Sequence, residues 1–182
     1  MVQWMLEDIG QDIDTNQFVS LKGSSTTYCL LDMVHNWLAA LDNPGKYIRT
    51  CFLDFSKAFD RINHNIVVQR LIDIGVRRSI IPWICNFLTG RRQCVTLGKV
   101  VSSWLNVSAG VPQWTKLGPI LFLVMINDLK LSSSSSTGCW KYVDDITASE
   151  VVSVGVDSVF QSELDHVNTL VSLHDMCLNS KK

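Results

Sequence analysis

Apolar residues recur three and four positions apart through residues 25–42, and Leu30, Leu31, Val34, Trp37, Leu38 and Leu41 fall on one helical face. Ser25 or Thr26 can cap that helix, and Pro44-Gly45 ends it. The pattern then changes period. Residues 47–54 read as a strand, with Ile48, Thr50, Phe52 and Asp54 on one face and Arg49, Cys51 and Leu53 on the other. Helical spacing returns at 63–74, capped by Asn63 or Asn65 and stopped at Gly75, and again at 79–88, where Pro82 suits the first turn. Residues 93–97 and 100–107 read as strands joined around Gly98-Lys99. A buried helix follows over 115–129, its start blurred by Gly118-Pro119. Short apolar strands at 140–143 and 146–151 flank Asp144-Asp145, which reads as a hairpin tip. Phe160, Leu164, Val167, Leu170 and Val171 give 159–173 a helical period, and residues 1–8 read as a helix remnant. Helices and strands do not strictly alternate, so an α+β domain with antiparallel strands fits better than a doubly wound parallel sheet.

Composition narrows the class. The 182 residues are 47% hydrophobic and 18% charged, enough for one domain with a real core and unlike a disordered chain. The longest apolar run, 120–126, falls far short of the roughly 20 residues that span a bilayer. The first eight residues are acidic where a leader would be basic, so the expected compartment is intracellular, with no membrane partner. Six cysteines lack Cys-x-x-Cys or zinc spacing and read as structural free thiols. The formal net charge is −1, yet no acidic residue lies between Asp73 and Asp128, while Arg77, Arg78, Arg91, Arg92, Lys99 and Lys116 do. That basic third is either a solvated cationic surface or a face that tracks a polyanion.

Three acids have unusual settings: Asp54 at the end of one apolar strand, and Asp144 with Asp145 between two others. Neighbouring strand residues point to opposite sides, so Asp144 and Asp145 share a neighbourhood only if a tight turn redirects one. If strand 47–54 lies beside strand 140–143, the three carboxylates gather at one sheet edge, where their repulsion calls for a cation. Hard oxygen donors select Mg2+ or Mn2+, and two such ions about 4 Å apart serve in-line phosphoryl transfer. Asp-Asp is also ordinary turn chemistry.

Four ordered motifs bear on that choice. Phe52-Leu53-Asp54-Phe55-Ser56-Lys57-Ala58-Phe59-Asp60-Arg61-Ile62-Asn63-His64, then Ala109-Gly110-Val111-Pro112-Gln113, Leu117-Gly118-Pro119-Ile120-Leu121-Phe122 and Tyr142-Val143-Asp144-Asp145 together closely resemble the motifs of reverse transcriptases of the non-LTR retrotransposon (LINE, jockey-like) type. Shorter similarities run from Gln17-Phe18, Lys22-Gly23 and Ser25-Thr26-Thr27 to Leu178-Asn179-Ser180-Lys181-Lys182. The resemblance implies a right-hand polymerase palm with partial fingers, an antiparallel sheet packed on helices, and no thumb. Fingers and fingers-palm elements would occupy about 1–46 and 64–108, and palm about 47–63 and 109–182. It implies a template-directed polymerase in which Asp54, Asp144 and Asp145 are the catalytic, Mg2+- or Mn2+-binding acids. Phe55, Phe59, Gln113 and Lys182 would meet the incoming nucleotide, Phe59 lying under its sugar. Arg91 and Arg92 would approach the nucleic-acid backbone, although solvated surface charge is an equal reading for each. The implied partners are an RNA template, a DNA primer and dNTPs.

The chain departs from the family pattern at Trp114, which follows Pro112-Gln113 where Gly is expected, and at Val19 and Ser24. Glycine allows φ > 0 and close backbone approach, so the indole is expected to block the site or push the loop aside. The first fingers motifs, the thumb and the endonuclease of a full-length element protein are expected outside 1–182. An inactive nucleic-acid-binding relic with the same fold is the alternative.

Overall fold

The computed structural model describes residues 2–10, 12–19, 23–131 and 137–179. The serine run 132–136, Lys22, and the Ser180, Lys181 and Lys182 of the terminal motif lie outside the described residues. The elements run α1 (Val2–Ile9), α2 (Thr26–Leu41), β1 (Lys46–Leu53), α3 (His64–Asp73), α4 (Ile81–Leu88), β2 (Arg92–Gln93), β3 (Thr96–Leu97), β4 (Val100–Val101), β5 (Leu105–Asn106), α5 (Leu117–Met125), β6 (Thr137–Tyr142), β7 (Asp145–Ser153) and α6 (Phe160–Leu173). The caps follow the local chemistry. Ser25 Oγ accepts from the Tyr28 N–H at 3.2 Å, and Asn63 Oδ1 accepts from Asn65 and Ile66. The two strands expected around Gly98-Lys99 are a hairpin in two pieces, β2 pairing β5 and β3 pairing β4.

Contacts group the chain into two compact units, residues 1–12 with 59–125, and 13–58 with 126–182. This grouping cuts the chain at other places than the fingers and palm boundaries.

In the first unit the core gathers around α3, α4 and α5. The last of these is apolar on every side and buried along nearly its whole length, so periodicity had little contrast to offer there. Helix α1 is tied by Asp8, whose carboxylate takes the Arg77 guanidinium at 2.6 and 2.8 Å and the Arg77 N–H at 2.9 Å. Those bonds hold the Asp8 carboxyl below its ordinary range.

The second unit is built on an antiparallel sheet in the order β1-β7-β6. Ile146, Ala148, Glu150 and Val152 of β7 and Cys139 and Lys141 of β6 are buried on one face. Lys141 is fully enclosed, its Nζ 2.7 Å from Asp14 Oδ2 and 3.0 Å from the Ile126 carbonyl. The buried ammonium is thus both paired and hydrogen-bonded, as burial of a charge requires. Glu150 serves the same sheet differently, accepting from the Val159 N–H at 3.0 Å where α6 begins.

On the other face lies α2, but not by the surface its apolar stripe suggests. Leu30, Leu31, Val34, Leu38 and Leu41 are exposed, while Cys29 and Met33 pack on Trp140 with Trp37 partly buried beside them. Two indole bonds set this rotation. Trp140 Nε1 donates to Asp32 Oδ2 at 2.6 Å, and Trp37 Nε1 donates to Ser149 Oγ at 3.2 Å. One residue is about 100° of helix, so facing the 29-33-37 row inward turns the leucine row away. All six cysteines are free, and burial pushes the Cys139 thiol up to about 11.

Candidate active site

The expected site residues fall in two neighbourhoods, one in each unit. The carboxylates belong to the sheet of the second unit. The β1–β7 ladder ends at Leu53 opposite Ile146, so Asp54, the next residue, and Asp145, the first residue of β7, come to the same end of the sheet. The β6–β7 hairpin closes at Tyr142 opposite Asp145, leaving Val143 and Asp144 as a two-residue turn. Val143 has φ 57° and Asp144 does not share the positive φ, which is the II′ pattern that usually takes glycine first. A β-branched residue there stores about 1–3 kcal/mol of strain.

Two expectations are corrected by this geometry. Asp145 is not at the hairpin tip but opens β7, and Asp144 alone lies in the turn. Strand β1 lies beside β7 rather than β6, because the nine-residue β7 is long enough to pair along both neighbours and takes the centre. The three acids still reach one sheet end, by register and by the turn.

The segment after β1 is held by the C-terminal stretch. Asn179 N–H donates to the Asp54 carbonyl at 2.8 Å, its side-chain Nδ2 donates to Asp54 Oδ2 at 2.9 Å, and Ser56 N–H donates to the Cys177 carbonyl at 2.8 Å. Phe55 bridges Leu178 and is buried, so its side chain belongs to the core. The carboxylates suit a hard divalent cation in donor type and in register. Among the described residues, however, no three His, Cys, Asp or Glu side chains are drawn together into a metal-ready group. The sheet end offers the donors; it is not a preformed cage.

The motif loop belongs to the first unit. Gly110 has φ 82°, its N–H donates to the Ile62 carbonyl at 2.8 Å, and Val111 N–H donates to the Phe59 carbonyl at 2.9 Å. A Cβ on Gly110 would stand 2.7 Å from the Asp60 carbonyl oxygen, so close approach of two backbones requires glycine here. The Gly110 carbonyl accepts from Arg91 Nη2 at 2.7 Å and from His64 Nε2 at 2.8 Å. That oxygen can only accept, which fixes a proton on His64 Nε2. Gln113 Nε2 donates to Asp60 Oδ1 at 3.1 Å and remains exposed. Phe59 rests on Phe122 of α5, ring centroids 5.0 Å apart.

Arg91 and Arg92 separate. Arg91 turns inward: besides Gly110, its Nε donates to the Leu88 carbonyl at 3.1 Å, and burial lowers its pKa from the ordinary value. Its role is to end α4 and hold the loop. Arg92 stays exposed over the Trp104 ring. Trp114 occupies the left-handed region at φ 61° with its side chain fully exposed. The indole therefore takes the conformation a glycine would take, without overpacking its unit. Lys182 lies outside the described residues.

Sequence reasoning assigned no role to His64, Asp60 or Asn179. All three stand inside the quoted motifs, which was the available signal, but their partners, the Gly110 carbonyl, the Gln113 amide and the Asp54 carboxylate, are 46 to 125 positions away.

The profile of the family described as reverse transcriptase (RNA-dependent DNA polymerase) matches residues 1–182. Among curated proteins, the chain is 34% identical over 114 residues to a probable RNA-directed DNA polymerase from transposon X-element of Drosophila melanogaster, covering 63% of this chain and 12% of that protein. It is 31% identical over 123 residues to the RNA-directed DNA polymerase from mobile element jockey of Drosophila funebris, covering 68% of this chain and 13% of that protein. Among solved structures, a telomerase from Candida tropicalis in complex with a fragment of telomeric RNA superimposes with a TM-score of 0.72 at 13% identity, over 100% of this chain and 32% of that one. At that identity the likeness shows the fold, and it agrees with a partial polymerase palm of helices and antiparallel strands.

Proposed function

Since the chain belongs to the reverse transcriptase (RNA-dependent DNA polymerase) family, we propose that it carries the nucleotidyl-transfer centre of an RNA-directed DNA polymerase of the non-LTR retrotransposon kind. The reaction is addition of a dNTP to the 3′-hydroxyl of a primer on an RNA template. The observation that carries this reading is the strand register, Leu53 opposite Ile146 and Tyr142 opposite Asp145, whose end adjoins Asp54 and the turn holding Asp144.

In this reading Asp54, Asp144 and Asp145 hold Mg2+ or Mn2+. Bound there, a pair of such ions supplies activation of the attacking hydroxyl and neutralises the departing pyrophosphate. The protein's own part is positioning. Phe59 supports the sugar of the nucleotide, the Phe55 main chain and Lys182 meet its phosphates, and Gln113 contacts the base-paired end. Arg92 is exposed and cationic beside Trp104, a pairing suited to a nucleic-acid backbone. Arg91 acts through Gly110 instead. Sequence is then read by base pairing, which asks of the protein charge and shape rather than base-specific contacts. The setting is intracellular, which suits six free thiols.

A second reading, an inactive nucleic-acid-binding relic, is favoured by Trp114: an indole in a left-handed conformation beside Gln113, at the position where the family pattern has Gly. Primer extension on a homopolymeric RNA template with Mn2+ separates the two. The enzymatic reading expects incorporation by the Trp114→Gly variant and none when Asp144→Ala is added. Incorporation that survives Asp144→Ala overturns the carboxylate assignment, and none by Trp114→Gly favours the relic.

A further inference from the structure

We infer that Asn179 is a positioning residue for Asp54, orienting the carboxylate that the proposed function makes a cation ligand; the inference rests on that reading.

Asp54 lies one position past the end of the β1–β7 ladder. Its backbone has left the pairing that fixes every residue before it, so something else must hold its side chain. Among the described residues, Asn179 of the C-terminal stretch contributes to this. Asn179 binds Asp54 twice, main chain to main chain at 2.8 Å and side-chain amide to carboxylate at 2.9 Å. The neighbouring residues continue the pairing, with Phe55 bridging Leu178 and Ser56 bound to Cys177. Because the amide springs from a backbone already tied to the same aspartate, it starts within reach of the carboxylate and needs only a side-chain rotamer to bind it. Oδ2 is thereby given a fixed direction.

The chemistry of the donor matters as much as its place. A lysine or arginine in this position would orient the carboxylate and also cancel its charge, competing with a divalent cation. A neutral amide orients without itself neutralising. Donors of this kind behind a ligating side chain typically account for about tenfold or more in metal affinity.

The substitution Asn179→Leu tests this cleanly, since it keeps the branched shape and the backbone N–H that pairs with Asp54 but removes the amide. Mn2+ binding to the full chain, without nucleotide or primer, can be followed by loss of the free-ion electron paramagnetic resonance signal, with Asp54→Ala as reference. The expected result is Mn2+ affinity about tenfold weaker in Asn179→Leu, with circular dichroism and thermal midpoint as in the parent. If Asn179→Leu fails to fold, Asn179→Ala carries the same expectation. Equal affinity in a folded Asn179 variant and the parent overturns the inference and leaves the carboxylate site standing. No Mn2+ retained by the parent, or equal retention by Asp54→Ala, removes the site and the inference with it.

Discussion

The carboxylate edge and the motif loop solve one problem, presenting polar groups at fixed positions, by different means. At the edge the backbone does most of the placing: the ladder runs to Leu53 opposite Ile146, a bond from the Asn179 N–H takes over at the Asp54 carbonyl, and a two-residue turn delivers Asp144. At the loop side chains do it, with His64 and Arg91 converging on the Gly110 carbonyl and Asp60 engaging Gln113. A ladder shares its work among many bonds, so a single side chain can change without moving the frame. A clamp on one carbonyl does not have that redundancy. The loop should therefore be the fragile region and the edge the tolerant one.

The sharpest way to break this contrast is Gly110→Ala. Its new methyl meets Asp60 backbone at 2.7–2.9 Å in a left-handed conformation, so we expect a loss of about 3 kcal/mol or more, read as a lower midpoint in urea with unchanged slope. A loss under 1 kcal/mol would show that the loop yields easily. Next comes Arg91→Ala, which strips two inward bonds from a charged donor and should cost about 1.5–3 kcal/mol, with faster amide exchange at Gly110 and Val111. If instead its effect is confined to salt-dependent RNA binding, Arg91 is a surface charge after all.

Trp114→Gly should move stability the other way. Relief of the left-handed conformation gains about 1–2 kcal/mol, and the greater freedom of glycine in the unfolded chain takes back about half, leaving a rise in Tm of about 1–4 °C. A fall in Tm would mean the indole makes a stabilising contact. The smallest effect belongs to the edge. Asp145→Asn removes one of the like charges gathered at this end of the sheet and should stabilise by about 0.5 kcal/mol, seen as a slightly higher urea midpoint. Loss of several kcal/mol there would erase the distinction between ladder and clamp.

Much of this organisation is written locally. The cap at Ser25, the cap at Asn63, the strand leading to Asp54 and the hairpin near Asp144 each depend on residues within a few positions and are legible in the chain, although the turn itself lies one residue earlier than the sequence suggests. The ordered motifs carried the family and drew attention to the three acids. Where reading failed, the deciding partner was remote. The leucine stripe of α2 pointed to one buried face, but bonds from Trp140 to Asp32 and from Trp37 to Ser149 chose another. The bond from Arg91 to the Gly110 carbonyl, nineteen positions on, likewise left no mark in the local sequence.

What the sequence by itself determined is the order of the main helices and strands, because capping, periodicity and turn preference act over single turns of chain, while the ordered motifs, not these local signals, pointed to the family. What the tertiary structure alone decided is pairing: β7 rather than β6 beside β1, Asn179 on Asp54, His64 and Arg91 on Gly110, Lys141 with Asp14. Hydrogen bonds and buried charges are satisfied by whichever group the fold brings within about 3 Å, and that choice leaves no periodic trace along the chain.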